Sequence, residues 1–186
     1  LEQTENTGIN VYTHSEMLPA HGYPKLRSLE HLRANLGSSW IDQRTLFAGF
    51  NGAILGTTNC VLIPSPAYSE RIFTHGIAAL PGVRHIEDDD FGPVIEKAKN
   101  LPPLPEAPGE FTLTPGFSDT NVLPMAGAIV DAVKGGQIRH FFLVGGCDAP
   151  GAGGRYYRDF VSATPPDTVI LTLGCGKFRF NDLDLG

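Results

Sequence analysis

The sequence has one tryptophan, two methionines and only three cysteines, and it contains no CxxC or HxxxH pair. A self-contained metal motif of the finger or ribbon type is therefore excluded. No stretch offers roughly 18 consecutive apolar residues, so no membrane-spanning helix is expected. Positive charge is also scarce: 14 Lys and Arg face 20 Asp and Glu, for a net charge of −6. The basic footprint of a nucleic-acid binder is missing. The first residues, Leu1-Glu2-Gln3-Thr4-Glu5, are polar and acidic and do not read as a secretory signal. An odd cysteine count without such a signal argues against a disulfide scaffold and points to a reducing, cytoplasmic setting.

What is present is ordinary for a globular chain: 186 residues, 41% hydrophobic and 18% charged. Gly (22) and Pro (15) are abundant but dispersed at expected turns. The one charge cluster, Glu87-Asp88-Asp89-Asp90, reads as a solvated turn leading into a helix, because acidic side chains favour helix N-termini.

Apolar runs alternate with helical spacing along the chain. Strands are predicted at 9–13, 53–58, 71–74, 83–86, 139–144 and 168–173. Helices are predicted at 24–32, 91–99, 121–134 and 155–163. The LPPLPEAPG stretch from Leu101 to Gly109 has four prolines and is the predicted linker. Near-continuous apolar strands alternating with helices imply parallel sheets covered on both faces. The predicted class is α/β, with Rossmann-like parallel sheets flanked by helices. One lobe would span residues 1–110 and carry Glu16 and Cys60. The start of a second, 111–186, would carry Cys147 and Cys175.

Ligands of open parallel sheets bind beyond the carboxyl ends of the strands. All three cysteines fall there: Cys60 after TTN, Cys147 after RHFFLVGG and Cys175 after TVILTLG. Glu16 lies just past the first strand, in His14-Ser15-Glu16-Met17-Leu18-Pro19. Four soft or anionic groups would thus face one rim. Glycines beside Cys147 and Cys175 permit tight turns and close backbone approach to a bulky ligand. Three buried structural thiols remain the bland alternative. A Cys/His nucleophilic site built on Cys147 would leave Cys60, Cys175 and Glu16 without a role. His14 and His21 flank Glu16 and are candidates to line a site. His85 and His140 sit within strands and read as structural, and His31 as a surface residue on a helix. The Gly151-Ala152-Gly153-Gly154 turn lacks the glycine spacing of a dinucleotide fingerprint.

The phrases YTHSEMLPAHGYP, TTNCVLIP, FFLVGGCDAPG and LTLGCGKFRF, in this order, resemble the hybrid cluster protein (prismane or hydroxylamine reductase) family over essentially the whole chain. The likeness to carbon monoxide dehydrogenases is more distant. The resemblance implies that Glu16, Cys60, Cys147 and Cys175 ligate a hybrid iron–sulfur–oxygen cluster of four-iron type, with Cys147 able to carry an extra sulfur. It implies reduction of hydroxylamine to ammonia, with nitric oxide as a further substrate, and makes Glu16 and Cys147 the catalytic residues. The implied partners are a small nitrogen-oxide substrate, a redox electron donor and the remainder of a longer parent chain, with no nucleic acid and no membrane.

The same resemblance marks departures. The helical domain with a second, conventional iron–sulfur cluster is not in this sequence and is expected in the parent only. A histidine ligand is expected before Leu1, and further cysteine and glutamate ligands after Gly186. GFSDTN puts Asp119 where a histidine is usual. The chain is thus expected to hold an incomplete ligand shell and to be inactive by itself. The competing readings are a structural α/β module without activity and a carbon monoxide dehydrogenase relative.

Overall fold

In a computed structural model, residues 1–105, 114–147 and 154–185 are described. Among the described residues, seven strands run in chain order: β1 (Val11–Thr13), β2 (Leu32–Asn35), β3 (Ile54–Gly56), β4 (Ile72–His75), β5 (Arg84–Ile86), β6 (His140–Val144) and β7 (Thr168–Thr172). The helices are α1 (Pro24–Arg27), α2 (Gln43–Gly49), α3 (Gly92–Lys99), α4 (Asp119–Val122), α5 (Ala126–Lys134) and α6 (Tyr156–Ser162). The strands form three sheets, ordered β1-β2, β3-β4-β5 and β6-β7. Every pairing in the second and third is parallel. The protein is a mixed α/β fold of parallel sheets flanked by helices.

The chain divides into two compact units. The first comprises Leu1–Val11 and Trp40–Phe111, the second Tyr12–Ser39 and Thr112–Gly186. The second unit is thus discontinuous in sequence. The segment bearing Glu16 is grouped with Cys147 and Cys175, whereas a cut of the chain at residue 110 would have set Glu16 beside Cys60.

In the first unit, α2 lays Phe47 onto the β3–β4 pair, in a core of Phe47, Ile54, Tyr68 and Ile72. Phe47 and Tyr68 meet edge to face at 5.7 Å, the geometry aromatic quadrupoles favour. Burial of such a side chain stabilises by about 1.5–3 kcal/mol. Arg71, itself buried, donates to the carbonyls of Phe47 and Phe50 and to Gly52 O at 2.7 Å. Its cation therefore closes the C-terminal end of α2, where carbonyls lack intrahelical donors. The acidic cluster does form a turn into α3: Asp90 Oδ1 accepts from Gly92 N–H at 2.9 Å.

In the second unit, α6 packs against one face of β6–β7 through Val144, Val161 and Phe180, with Phe142, Tyr157, Ile170 and Leu183 around them. The other face, with Phe141, Leu143 and Leu171, is exposed, contrary to the expectation of cover on both sides.

Other differences from the sequence expectations have local causes. The helix expected over 24–32 ends at Arg27, and Leu32 already opens β2 with its side chain buried. His31 therefore lies in a turn, not on a helix. The helix expected over 121–134 is broken into α4, a 3-10 turn at Leu123–Met125, and α5. Pro124 has no N–H to donate and its ring crowds the preceding turn, which ends α4. Leu101–Pro105 has no regular structure, while the rest of the expected linker, 106–109, and Gly151–Gly153 lie outside the described residues.

Candidate functional site

The site grows from the β6–β7 pair. These strands run parallel and in register from His140↔Thr168 to Val144↔Thr172. Each continues for two residues beyond that last pair and then presents a cysteine. Equal offsets on parallel neighbours bring Cys147 and Cys175 together, with Sγ–Sγ at 3.3 Å. Neither is joined in a disulfide; Cys175 is buried and Cys147 half-buried.

The turns that carry them demand small residues. Gly146 and Gly174 have φ of +77° and +50°, the left-handed region that glycine enters without steric cost. At Gly176 a β-carbon would stand 2.7 Å from Thr172 Oγ1 and 3.1 Å from Val144 O, so no larger residue fits. A β-carbon on Gly174 would meet Glu16 Cα at 3.3 Å. The Glu16 backbone therefore abuts the turn that delivers Cys175.

Glu16 itself sits in the 3-10 helix Ser15–Gly22, directly after β1. Ser15 enters this helix with φ +54°, a conformation that costs a non-glycine residue of order 1 kcal/mol or more. Its side-chain oxygen is buried without a hydrogen-bond partner, and so is Thr172 Oγ1 at the foot of the Cys175 turn. Orphaned hydroxyls of this kind are rare in a settled core. At the other end of the same helix, Thr13 Oγ1 lies 2.8 Å from His21 Nε2 and accepts from Asn35 Nδ2 at 2.9 Å. Burial lowers the His21 pKa below 6.5, and the Arg27 charge lowers it further.

Arg179 closes the back of the cysteine turns. Its guanidinium donates to Gly145 O at 3.3 Å and lies 4.5 Å over the Tyr157 ring. Arg158 in turn donates to Arg179 O at 2.9 Å and holds Asp182 through two bonds of 2.6 and 2.9 Å. That hydrogen bonding raises the Arg158 pKa and holds the Asp182 carboxyl below its ordinary value.

Cys60 lies in the first unit, four residues after β3. Its loop is held by a residue the sequence did not single out. Gln43, buried in the first turn of α2, donates from Nε2 to Cys60 O at 2.6 Å and accepts from Leu62 N–H at 3.0 Å. Cys60 N–H also donates to Thr58 Oγ1 at 3.3 Å. Hydrophobic periodicity cannot find Gln43, because a polar residue is expected to face solvent; only its buried loop partners give it a role.

The structure thus brings together Cys147, Cys175 and the Glu16 segment within one unit, and Cys60 is built separately in the other. Among the described residues, no three His, Cys, Asp or Glu side chains converge into a set that would hold a metal ion. Asp119 is exposed at the start of α4. His85 bonds Thr74 Oγ1 through Nδ1 at 3.0 Å, the structural role its strand position suggested. No helix among the described residues is long and apolar enough to cross a membrane.

Comparison with known proteins matches the sequence to a family. Residues 1–186 match the Prismane/CO dehydrogenase family. Curated relatives named hydroxylamine reductase are similar over all of this chain: that of Moorella thermoacetica at 64% identity, that of Thermotoga maritima at 58% and that of Methanothermobacter thermautotrophicus at 57%. The chain spans 43% of the length of each of these relatives. With the match running from the first residue to the last, the chain belongs to the Prismane/CO dehydrogenase family.

Proposed function

We propose that this chain contributes Glu16, Cys60, Cys147 and Cys175 to the protein shell of a hybrid iron–sulfur–oxygen cluster, in a hydroxylamine reductase that reduces hydroxylamine to ammonia. The observation that carries the reading is the Cys147–Cys175 contact at 3.3 Å, with the Glu16 backbone packed on the same turn. The donors fit such a group as a partial shell. Two thiols suit iron–sulfur chemistry, and a carboxylate suits a cluster with oxygen bridges. Unpartnered hydroxyls at Ser15, next to Glu16 in the chain, and at Thr172, against the Cys175 turn, leave polar capacity there.

When bound, the cluster would supply the electrons and the open iron position that cleavage of an N–O bond requires. The chain's own residues do the rest. Cys147 and Cys175 would hold the cluster through the paired turns of the second unit, and Cys60 would add a third thiol from a loop that Gln43 holds. Glu16 would offer the hard oxygen donor, whose carboxylate can leave a metal more readily than a thiolate. His21 is the candidate proton holder: the burial that depresses its pKa also makes its imidazolium a stronger acid than in water. Nitric oxide is a second substrate in this reading, and the electrons come from a redox donor protein.

Anaerobic reconstitution with iron and sulfide tests the reading. Iron and labile sulfide should bind the chain, and Cys147→Ser and Cys175→Ser should each remove most of the visible absorption while far-UV dichroism is kept. The second reading, an α/β module that binds no iron by itself, draws on the absence of three converging donors among the described residues. A folded chain that retains no iron after desalting would favour it and sink the first.

A further inference from the structure

The geometry points to a second chemical state of the cysteine pair: we infer that Cys147 and Cys175 form a reversible disulfide in the iron-free chain, and that this bond bars the pair from holding iron. At 3.3 Å the two sulfurs stand between two bonded arrangements. A disulfide needs about 2.05 Å. Two thiolates on one tetrahedral metal, with metal–sulfur bonds of about 2.3 Å, stand roughly 3.8 Å apart. The pair therefore lies within about 1.3 Å of closing and about 0.5 Å of opening onto a metal.

The surroundings assign the order of attack. Cys147 is half-buried and Cys175 buried, so a small oxidant meets the Cys147 sulfur first. Both ride on glycine turns, Gly145-Gly146 and Gly174, that absorb small backbone shifts. With hydrogen peroxide as oxidant, the Cys147 thiolate attacks one peroxide oxygen, giving a sulfenic acid and releasing hydroxide, which takes up a proton to become water. Cys175 sulfur then attacks the sulfenic sulfur, forming the S–S bond and expelling the second water. Two thiols lose two hydrogens and two electrons; one peroxide is reduced to two waters. A dithiol reductant restores the pair by exchange. In-register β6 and β7 hold the second thiol against the first, so closing outruns further oxidation of Cys147.

The disulfide stands on the sulfur geometry alone. Its effect on iron loading rests on the cluster reading above. Both are tested on the full 186-residue chain, purified iron-free and reduced. One equivalent of hydrogen peroxide, followed by alkylation and peptide mass spectrometry, should leave Cys60 as the single alkylated thiol, with the Cys147 and Cys175 peptides linked. Dithiothreitol should return all three thiols. Three alkylated cysteines, a link through Cys60, or sulfinic acid on Cys147 without a link would overturn the inference. In Cys175→Ala the link must vanish; if that variant does not fold, Cys175→Ser is read instead. Iron uptake by the oxidised chain should drop at least tenfold and recover on reduction. A link that forms in a chain whose reduced form binds no iron would fault the cluster reading and leave the disulfide standing.

Discussion

Replacing Gln43 by leucine is the sharpest probe of how the chain positions Cys60. The substitution keeps volume and helix propensity and deletes only the amide. It removes the donor to Cys60 O and the acceptor for Leu62 N–H, at 2.6 and 3.0 Å. A net hydrogen bond contributes about 1 kcal/mol, and a backbone group left buried and unsatisfied costs about 1–3 kcal/mol. With two such groups half-shielded from water, the loss should be about 2–4 kcal/mol, close to the upper end if the loop cannot reorganise. Gln43→Glu keeps the acceptor and loses the donor, and it sets a carboxylate against the Cys60 carbonyl, so it should cost at least as much. Urea unfolding followed by tryptophan emission reports the stability change, since Trp40 lies beside α2 in sequence. Amide exchange localises it: Leu62 should exchange at least tenfold faster, because 1.4 kcal/mol is a factor of ten in an opening constant. A Gln43→Leu chain within 0.5 kcal/mol of the parent, with Leu62 exchange unchanged, would refute the clamp.

Two further outcomes follow from the second unit. Gly176→Ala forces a β-carbon to 2.7 Å from Thr172 Oγ1 and 3.1 Å from Val144 O, and should lower stability by about 1–3 kcal/mol; an unchanged urea midpoint would contradict the close packing. His21 gives a pH dependence of definite sign. Its folded pKa lies below 6.5, so the unfolded chain binds more protons, and the His21 contribution, complete above 6.5, is lost as pH falls through 6.5 toward the folded value. Asp182, held below 3.8 by Arg158, adds its own loss only in the more acid range. His21→Gln should flatten the stability curve just below neutrality, and an identical slope in both proteins would remove His21 as its source.

β6 and β7 were legible because their runs are near-continuously apolar and rich in β-branched and aromatic residues, even though one face of the pair is exposed, and 139–144 and 168–173 differ from them by single residues. From parallel strands, the position of Cys147 and Cys175 at one rim follows almost directly. The register that sets their separation does not, since nothing local says which residues pair. Neither β2 nor α2 was read, for related reasons. LRAN is too short to show alternation, and α2 opens with a polar residue turned inward. The break at Pro124 is masked in the sequence because Val122, Met125 and Ile129 keep helical spacing across it. The grouping of 12–39 with the C-terminal half lay beyond reach, because it depends on contacts between segments roughly a hundred residues apart.

That discontinuity sets an order of events during synthesis. Trp40–Phe111 forms one stretch and belongs to the first unit, so most of that unit leaves the ribosome before the second half of its neighbour exists. Glu16 emerges roughly 160 residues before the turn at Gly174 and Cys175, which at ordinary elongation rates is a wait of roughly 8–30 s. Over that interval residues 12–39 are an unfinished surface, with Leu18 and Leu32 lacking the packing they have in the folded chain. The insertion of residues 40–111 accounts for a large part of that vulnerable period, and synonymous codon changes that slow translation across it should change the yield of folded chain without altering any residue of the site.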